Sequence, residues 1–569
     1  MLDLAIVGGE VIDGTGSPRR RADIGIRQGR VVAVGSLDEP AHRRIDASGE
    51  VVTPGFIDVH THYDAQVAWD PHLTPSPLHG VTTVIGGNCG FTLAPMEEEA
   101  AEYLVELLAR VEGMPLATLK AGVDIAWKTF HGYLDTVEGN TAVNAGFLVG
   151  HSTVRRLVLG EDWRRPASDT EVDAMSRLID ESLAAGALGL SSSWSETHND
   201  AAGDPVPSRY ATESELLRLC ATLRPHPGTW LEFLPWAVGA FPRERCELMA
   251  RMSAAAERAL NWNLLLVRPD ITDDAIASRL LASDLAVAEG GCVFGLALPI
   301  PQTLYLNLES GFLFDFDPVW ADVIAKPHDE KVRMLRLPEV RQRLESAAKA
   351  SRGIWYDLER LRFERVEAAA FADVQGVPVA EAARRRGASA FDLLFDVVLA
   401  DDLRTILMVP PIGDDPDSWR RRMELLDDPR TLVGGSDAGA HLDMSDTFSF
   451  FTDFVGTTVR ERQLLPLETA VRMVTDDAAR AFGLRNRGRI EPGYAADVVV
   501  FDESLVRSKP IETRDDLPGN GTRLFAEAEG IDWVLVNGEV IAASGELTES
   551  RPGTVLRSGR DTETVLARR

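Results

Sequence analysis

Hydrophobic and polar positions change rhythm twice along this chain. Over residues 1–53 the apolar positions come in short runs broken by turn residues. LAIVGGEVIDG and ADIGIRQGRVVAVG each place a turn, Gly8-Gly9 and Gln28-Gly29, between two such runs, which is hairpin spacing. The same texture returns in AADVVVFD (495–502) and in WVLVNGEVIAASG (533–545), the latter turning at Asn537-Gly538. Two β-rich ends around a long middle predict one small β domain built from residues 1–53 and 486–569. The alternative is two unrelated edge hairpins.

Between them, across residues 54–485, short apolar runs alternate with amphipathic helical stretches. The runs are FIDVHTH, VTTVIGGNC, NAGFLVGH, LGLSSSW, TWLEFLP, NWNLLLV, CVFGLALP and TLVGGSD. Eight strands, most of them followed by a helix, predict parallel βαβ units and an α/β fold. Ser168 with Glu171 and Thr212 with Glu215 have capping-box spacing at two helix starts. Residues from about 301 to 410 fit the alternation poorly, being aromatic and charge-rich. They are expected to be an insertion or lid before the last strand.

Length and charge narrow the field. A chain of 569 residues suggests a large domain with at least one accessory domain. Its formal net charge of -29 repels phosphate backbones and anionic lipid, so neither nucleic acid nor membrane is expected as a partner. The N-terminal run carries Asp3 and no basic segment, so it does not read as a signal peptide. No apolar stretch approaches membrane-spanning length. Four unpatterned cysteines fit a reduced, cytoplasmic protein, with a homo-oligomer left open.

The chemistry gathers where strands end. The first run closes on Asp58-Val59-His60-Thr61-His62, and residues two apart in a strand point the same way, so both imidazoles can face one ion. Cys89, between Asn88 and Gly90 at the end of the second run, is read either as an exposed soft ligand at the strand mouth or as a buried small hydrophobe. The last run ends in Gly434-Gly435-Ser436-Asp437, followed by His441. Asp437 reads as a tight turn on its own. Beside a metal it is a proton acceptor for a water and a donor to a leaving amine. Glu232, among Leu231 and Phe233 in the fifth run, is costly to bury without a cation, which is either a metal or an arginine.

PGFIDVHTHYD, GNCGF, the serine run after GALGL, GSDAGAH and GRIEPGYAADVVVFD together resemble the amidohydrolase superfamily. Within it they are most similar to the N-acyl-D-amino-acid deacylase (D-aminoacylase) branch. The resemblance spans nearly the whole chain. It implies a (β/α)8 TIM-like barrel over 54–485, a terminal β-sandwich, one or two divalent metals (zinc expected) and hydrolysis of a small amide substrate at its C–N bond. Carried over, His60 and His62 match the first-strand ligands, Cys89 a bridging cysteine, and Asp437 the catalytic acid/base. His151, at the end of the third run, and His441 match family histidines with substrate-binding or supporting roles.

The chain departs from that branch at the fifth and sixth strands, where the family places histidines. Here stand Glu232 and Asn263. Glu232 is therefore expected as a ligand and Asn263 as a weak oxygen donor, while His198, in the loop after the fourth run, is read either as a replacement nitrogen or, more often for such a position, as a solvated loop histidine. One tightly bound ion is expected rather than two, and a substrate other than a simple N-acyl-D-amino acid. Two rivals stand beside this. A cyclic amide or imide hydrolase of the same superfamily would use a carbamylated lysine at the fourth strand, where Ser191-Ser192-Ser193 stands instead. A decayed barrel kept for binding or assembly would explain the missing histidines, but not the retention of His60, His62, Cys89 and Asp437.

Overall fold

In a computed structural model the chain is α/β, and residues 1–236, 239–311, 313–314, 317–351, 353 and 356–565 are described. All eight runs form buried strands: β1 (Phe56–Asp58), β2 (Val81–Gly86), β3 (Asn144–Phe147, continued by Val149–Gly150), β4 (Gly189–Ser193), β5 (Trp230–Leu234), β6 (Ala259–Leu265), β7 (Cys292–Ala297) and β8 (Thr431–Val433). Every pairing along the series is parallel. A further parallel bridge, Thr61 to Ala438, joins the chain just beyond β1 to the chain just beyond β8. Ile57, Ile85, Leu148, Leu188, Trp230, Ala259, Phe294 and Leu432, each on or beside a different strand, pack into one apolar cluster with Phe482. Such nearly continuous burial, with Leu264 only partly covered, is what strands covered on both faces require.

Helices α1 (Glu98–Val111), α2 (His151–Leu159), α3 (Asp169–Ala185), α4 (Glu213–Ala221), α5 (Arg243–Ala256) and α6 (Asp273–Ala288) fall between these strands. The predicted capping box at α3 is complete, Ser168 and Glu171 each satisfying the other's backbone N–H. At α4 only half of it forms. Thr212 accepts from the Glu215 N–H, but the Glu215 carboxylate turns away to His151 (3.2 Å) and Arg155 (2.9 Å). A buried arginine and histidine outcompete one backbone N–H for a carboxylate.

The two ends of the chain meet in a seven-stranded sheet. It combines Glu10–Val11, Arg20–Arg21 and Val51–Pro54 with Val498–Phe501, Ile531–Val536, Glu539–Ala543 and Glu546–Leu547. A four-stranded sheet of Leu2–Val7, Asp23–Arg27, Arg30–Gly35 and Ala41–Asp46 shares its core through Leu4, Ile6, Ile24, Val52, Val498 and Leu535. The Gln28-Gly29 and Asn537-Gly538 turns close hairpins as expected. Gly8-Gly9 does not. Leu2–Val7 pairs with Asp23–Arg27 and Ala41–Asp46, while Glu10–Val11 pairs in the other sheet. Gly8 (φ 80°) lets the chain step between sheets, and a Cβ on Gly9 would meet Val52 at 2.5 Å.

Residues 301–414 with 441–446 form a second compact unit. It holds a three-stranded antiparallel sheet (Gln302–Leu306, Ile406–Ile412, Arg362–Arg365) and its own core around Phe314, Trp320, Leu344, Phe363 and Phe395. Among the described residues no helix is long and apolar enough to cross a membrane.

Candidate metal centre

The extended segment after β1 carries His60 and His62, both about 1% exposed, with ring centroids 5.3 Å apart. Beyond β2 the chain turns sharply at Gly87 and Asn88–Gly90, and Cys89 itself adopts φ 57°. A left-handed conformation costs an ordinary L-residue roughly 1–2 kcal/mol, so something must hold it. Three side chains do. The Gly87 N–H donates to Asp64 Oδ2 (2.9 Å), the Cys89 N–H to Glu232 Oε2 (2.8 Å) and the Gly90 N–H to Ser191 Oγ (3.0 Å). The turn thus buries Cys89 to 4% exposure instead of opening it at a strand mouth. Its Sγ faces His60 Nε2 at 3.8 Å and Asn263 Nδ2 at 3.6 Å.

Asp437 arrives from β8 through Gly434-Gly435, again left-handed (φ 58°), with its N–H on the His60 carbonyl (3.2 Å). Ser436 donates to the buried Asp58 and accepts the Ala438 N–H (2.9 Å), bracing this turn against the end of β1. Asp437 Oδ1 lies 3.4 Å from His60 Nε2 and 3.2 Å from His62 Nε2. Its side chain keeps one-third of its surface open to solvent, at 33%. Burial pushes its carboxyl up, but the two imidazoles outweigh that and hold it well below the usual carboxylate range.

Glu232 meets no arginine among the described residues, which removes the paired-Glu alternative. Its Oε2 accepts from Cys89, and its Oε1 is buried without a hydrogen-bond partner. Glu232 is also in register with Ser191 on β4 and Asn261 on β6, so polar side chains line this level of the strands. Asn263, from β6, places Nδ2 3.4 Å from His60 Nε2, and its Oδ1 too lacks a partner.

The electrostatics ask for a cation. Burial pushes four carboxyls up: Asp58 to about 7, Asp64 to about 6, Glu112 to about 8 and Glu232 to about 8. It also raises the Cys89 thiol and lowers His60. His62 goes the other way, to about 9, because Glu112 and Asp437 outweigh its burial. So many buried acids with so few basic partners are expensive unless a positive charge joins them. Among the described residues one group of His, Cys, Asp or Glu has donor atoms all within 4.8 Å of one another: His60, His62 and Cys89. Donors about 2.0–2.3 Å from a shared tetrahedral zinc would stand roughly 3.3–3.6 Å apart, close to the 3.8 Å between Cys89 Sγ and His60 Nε2. The donor set and its orphaned polar atoms fit a divalent cation. Glu232 lies outside the close group of three and touches it through the Cys89 backbone.

Among the described contacts, His151 and His198 meet residues outside the group of three. His151, fully buried, is engaged at both nitrogens, Nδ1 with Ser192 Oγ (2.8 Å) and Nε2 with Glu215 (3.2 Å). His198 puts Nδ1 2.8 Å from Ser193 Oγ and its ring against Phe91. His441 belongs to the second unit, where its carbonyl accepts the Met444 and Ser445 N–H groups. Sequence reasoning missed Asp64, Ser191 and Glu112. The first two sit inside motifs that were read for their neighbours. Glu112 had one legible signal, an acid at a helix C-terminus, where the helix dipole disfavours it.

Buried imidazole, thiol and carboxylate donors at the ends of parallel strands define the class of this protein, a metal-dependent hydrolase of α/β build. More particularly, residues 43–542 match the Amidohydrolase family, and the chain belongs to it. It is 30% identical to the D-aminoacylase of Alcaligenes xylosoxydans xylosoxydans, covering 97% of each chain. Among solved structures it is similar to D-aminoacylase, described with a binuclear metal centre, one-metal activation and second-metal attenuation (28% identity, TM-score 0.66, 98% of this chain and 100% of that one). It is also similar to N-acyl-D-glutamate deacylase from Bordetella bronchiseptica, complexed with zinc and a phosphonate mimic of the tetrahedral intermediate (28% identity, TM-score 0.64, again 98% and 100%).

Proposed function

We propose that this amidohydrolase cleaves the amide bond of an N-acyl amino acid or related small amide, at a zinc centre at the open end of a (β/α)8 barrel. One observation carries the reading: His60, His62 and Cys89 present mutually close donor atoms beside Asp437 Oδ1. His60, His62 and Cys89 would hold the ion. Glu232 Oε1, buried and unpartnered, is the proposed fourth donor. Zinc so held would supply Lewis acidity to a carbonyl oxygen and would lower the pKa of water toward roughly 7.

Asp437 does the proton work. Held ionised by two imidazoles and partly open to solvent, Oδ1 takes a proton from the attacking water. As the C–N bond breaks, the same carboxyl returns that proton to the departing nitrogen, leaving a carboxylic acid and an amine. Asn263 Nδ2 restrains His60 and Cys89 from the side.

We propose one tightly bound ion. Glu232 and Asn263 stand where the related branch carries histidines, so fewer nitrogen donors are available for a second ion. The similar D-aminoacylase described with one-metal activation and second-metal attenuation supports this reading. Metal analysis of purified protein, with hydrolysis assays on N-acetyl-D- and N-acetyl-L-amino acids, tests both parts. About one zinc per chain and hydrolysis within that panel are expected. Two tightly held zinc ions would refute the single-ion reading, and a zinc-loaded protein inert on every N-acyl amino acid would refute the substrate class.

A further inference from the structure

Glu112 is the residue following α1, an amphipathic helix whose apolar face is buried. Its side chain is almost wholly buried, 3% exposed, and pairs with no lysine or arginine among the described residues. Its position opposes the helix dipole, which disfavours an anion at a helix C-terminus. Burial, lack of a basic partner and dipole all count against a carboxylate here, so some specific contact has to hold it.

Among the described residues its ion-pair contact is His62, while Asp437 and Asp64 act on it as like charges. Glu112 Oε1 and His62 Nδ1 stand 3.4 Å apart, at ion-pair distance, and neither atom has a hydrogen-bond partner in this structure. The opposite edge of the same ring, Nε2, lies 3.2 Å from Asp437 Oδ1. The imidazole is therefore bracketed by a carboxylate on each nitrogen. One is the partly open group of the centre, the other a sealed group behind it. A histidine has one proton to give when neutral, and the acceptor on one nitrogen decides which nitrogen keeps a free lone pair.

We infer that Glu112 is a positioning residue: its carboxylate accepts the Nδ1 proton of His62 and so fixes that ring with Nε2 free on the side of His60 and Asp437. The inference rests on the metal centre proposed above and assigns a role to a residue outside every motif of the chain. Through the Nδ1 proton Glu112 also makes Nε2 more basic and contributes negative charge behind the ligand. Supporting partners of this kind change metal affinity by about 10–100-fold when removed.

Zinc affinity of the full-length protein, measured by competition with a chelating dye, tests this in wild type, E112Q, E112A and H60A. The Tm of each protein before and after zinc loading is measured alongside. Gln keeps the shape and an acceptor but loses the charge, so E112Q should weaken binding about tenfold and E112A by up to about 100-fold. Tm before loading should be unchanged or higher, because a buried acid has been removed, while the rise on loading shrinks. In an H62A background E112Q should change affinity no further, a coupling that a merely structural role would not produce. E112A and E112Q binding zinc as tightly as wild type would overturn the inference. So would a wild type holding two ions of which E112A loses one, since Glu112 would then be a ligand. A wild type that binds no more zinc than H60A overturns the metal centre itself, and Glu112's role with it.

Discussion

Asp437 and Cys89 both occupy left-handed backbone conformations, φ 58° and 57°, which are uncommon outside glycine. Residues of this kind persist where surrounding contacts over-determine them, and they cluster at functional sites. Here the contacts are explicit: the His60 carbonyl for Asp437, and Glu232 for Cys89. Asp437→Asn preserves the shape but cannot accept a proton. It should lower kcat by about 10²–10⁴-fold while leaving zinc content unchanged, which initial rates and metal analysis on the same preparation would check. Glu232→Ala removes both the proposed donor and the acceptor of the Cys89 N–H. Zinc affinity should fall by at least about tenfold, and a variant that binds zinc like wild type would remove Glu232 from the centre.

At the scale of elements, the turn from Gly87 to Gly90 is the hinge on which the thiol is aimed. Gly87 has φ 78°, and a Cβ there would meet the Leu148 carbonyl oxygen at 2.3 Å, a backbone atom that cannot easily move. Gly87→Ala should therefore cost roughly 1–3 kcal/mol of stability and weaken zinc binding with it, because Cys89 is displaced when the turn shifts. Ser168→Ala is the contrasting case. It removes the capping box of α3, on an exposed helix start, and should cost about 1 kcal/mol in thermal unfolding with kcat unchanged. Loss of activity in Ser168→Ala would show that α3 couples to the strands more tightly than its contacts imply.

For the whole molecule, the buried acids of the centre make stability depend on pH when metal is removed. Glu112 and Glu232 hold their protons to about pH 8 when folded, against 4.5 as the ordinary value. His62 holds its own to about 9, against 6.5. All three bind protons more tightly folded than unfolded, so their stabilisation is complete below about pH 4–5 and is lost as pH rises through 8 to 9. Chelator-treated protein should show a falling Tm between pH 5 and pH 9, and zinc should flatten that fall because the ion takes over from the protons. A Tm that is flat with pH after metal removal would count against a carboxylate-rich centre.

The alternation of apolar runs and amphipathic stretches was enough to place all eight strands. Side chains on a strand or helix repeat with the period of that element, and period is a local property. His60, His62, Cys89 and Asp437 were legible for a similar reason, each lying at the end of such a run. Three things were decided only by tertiary structure. Gly8-Gly9 is a step between sheets and not a hairpin, because partners from residues 23–27 and 41–46 compete for the same strand. Glu215 leaves its capping position for His151 and Arg155, which lie sixty residues or more away. Glu112 faces His62 although fifty residues separate them, and no periodicity links the two. Local order is written in spacing along the chain. Which buried charge meets which is settled by packing, since the cost of burying a charge depends on every neighbour the fold brings to it.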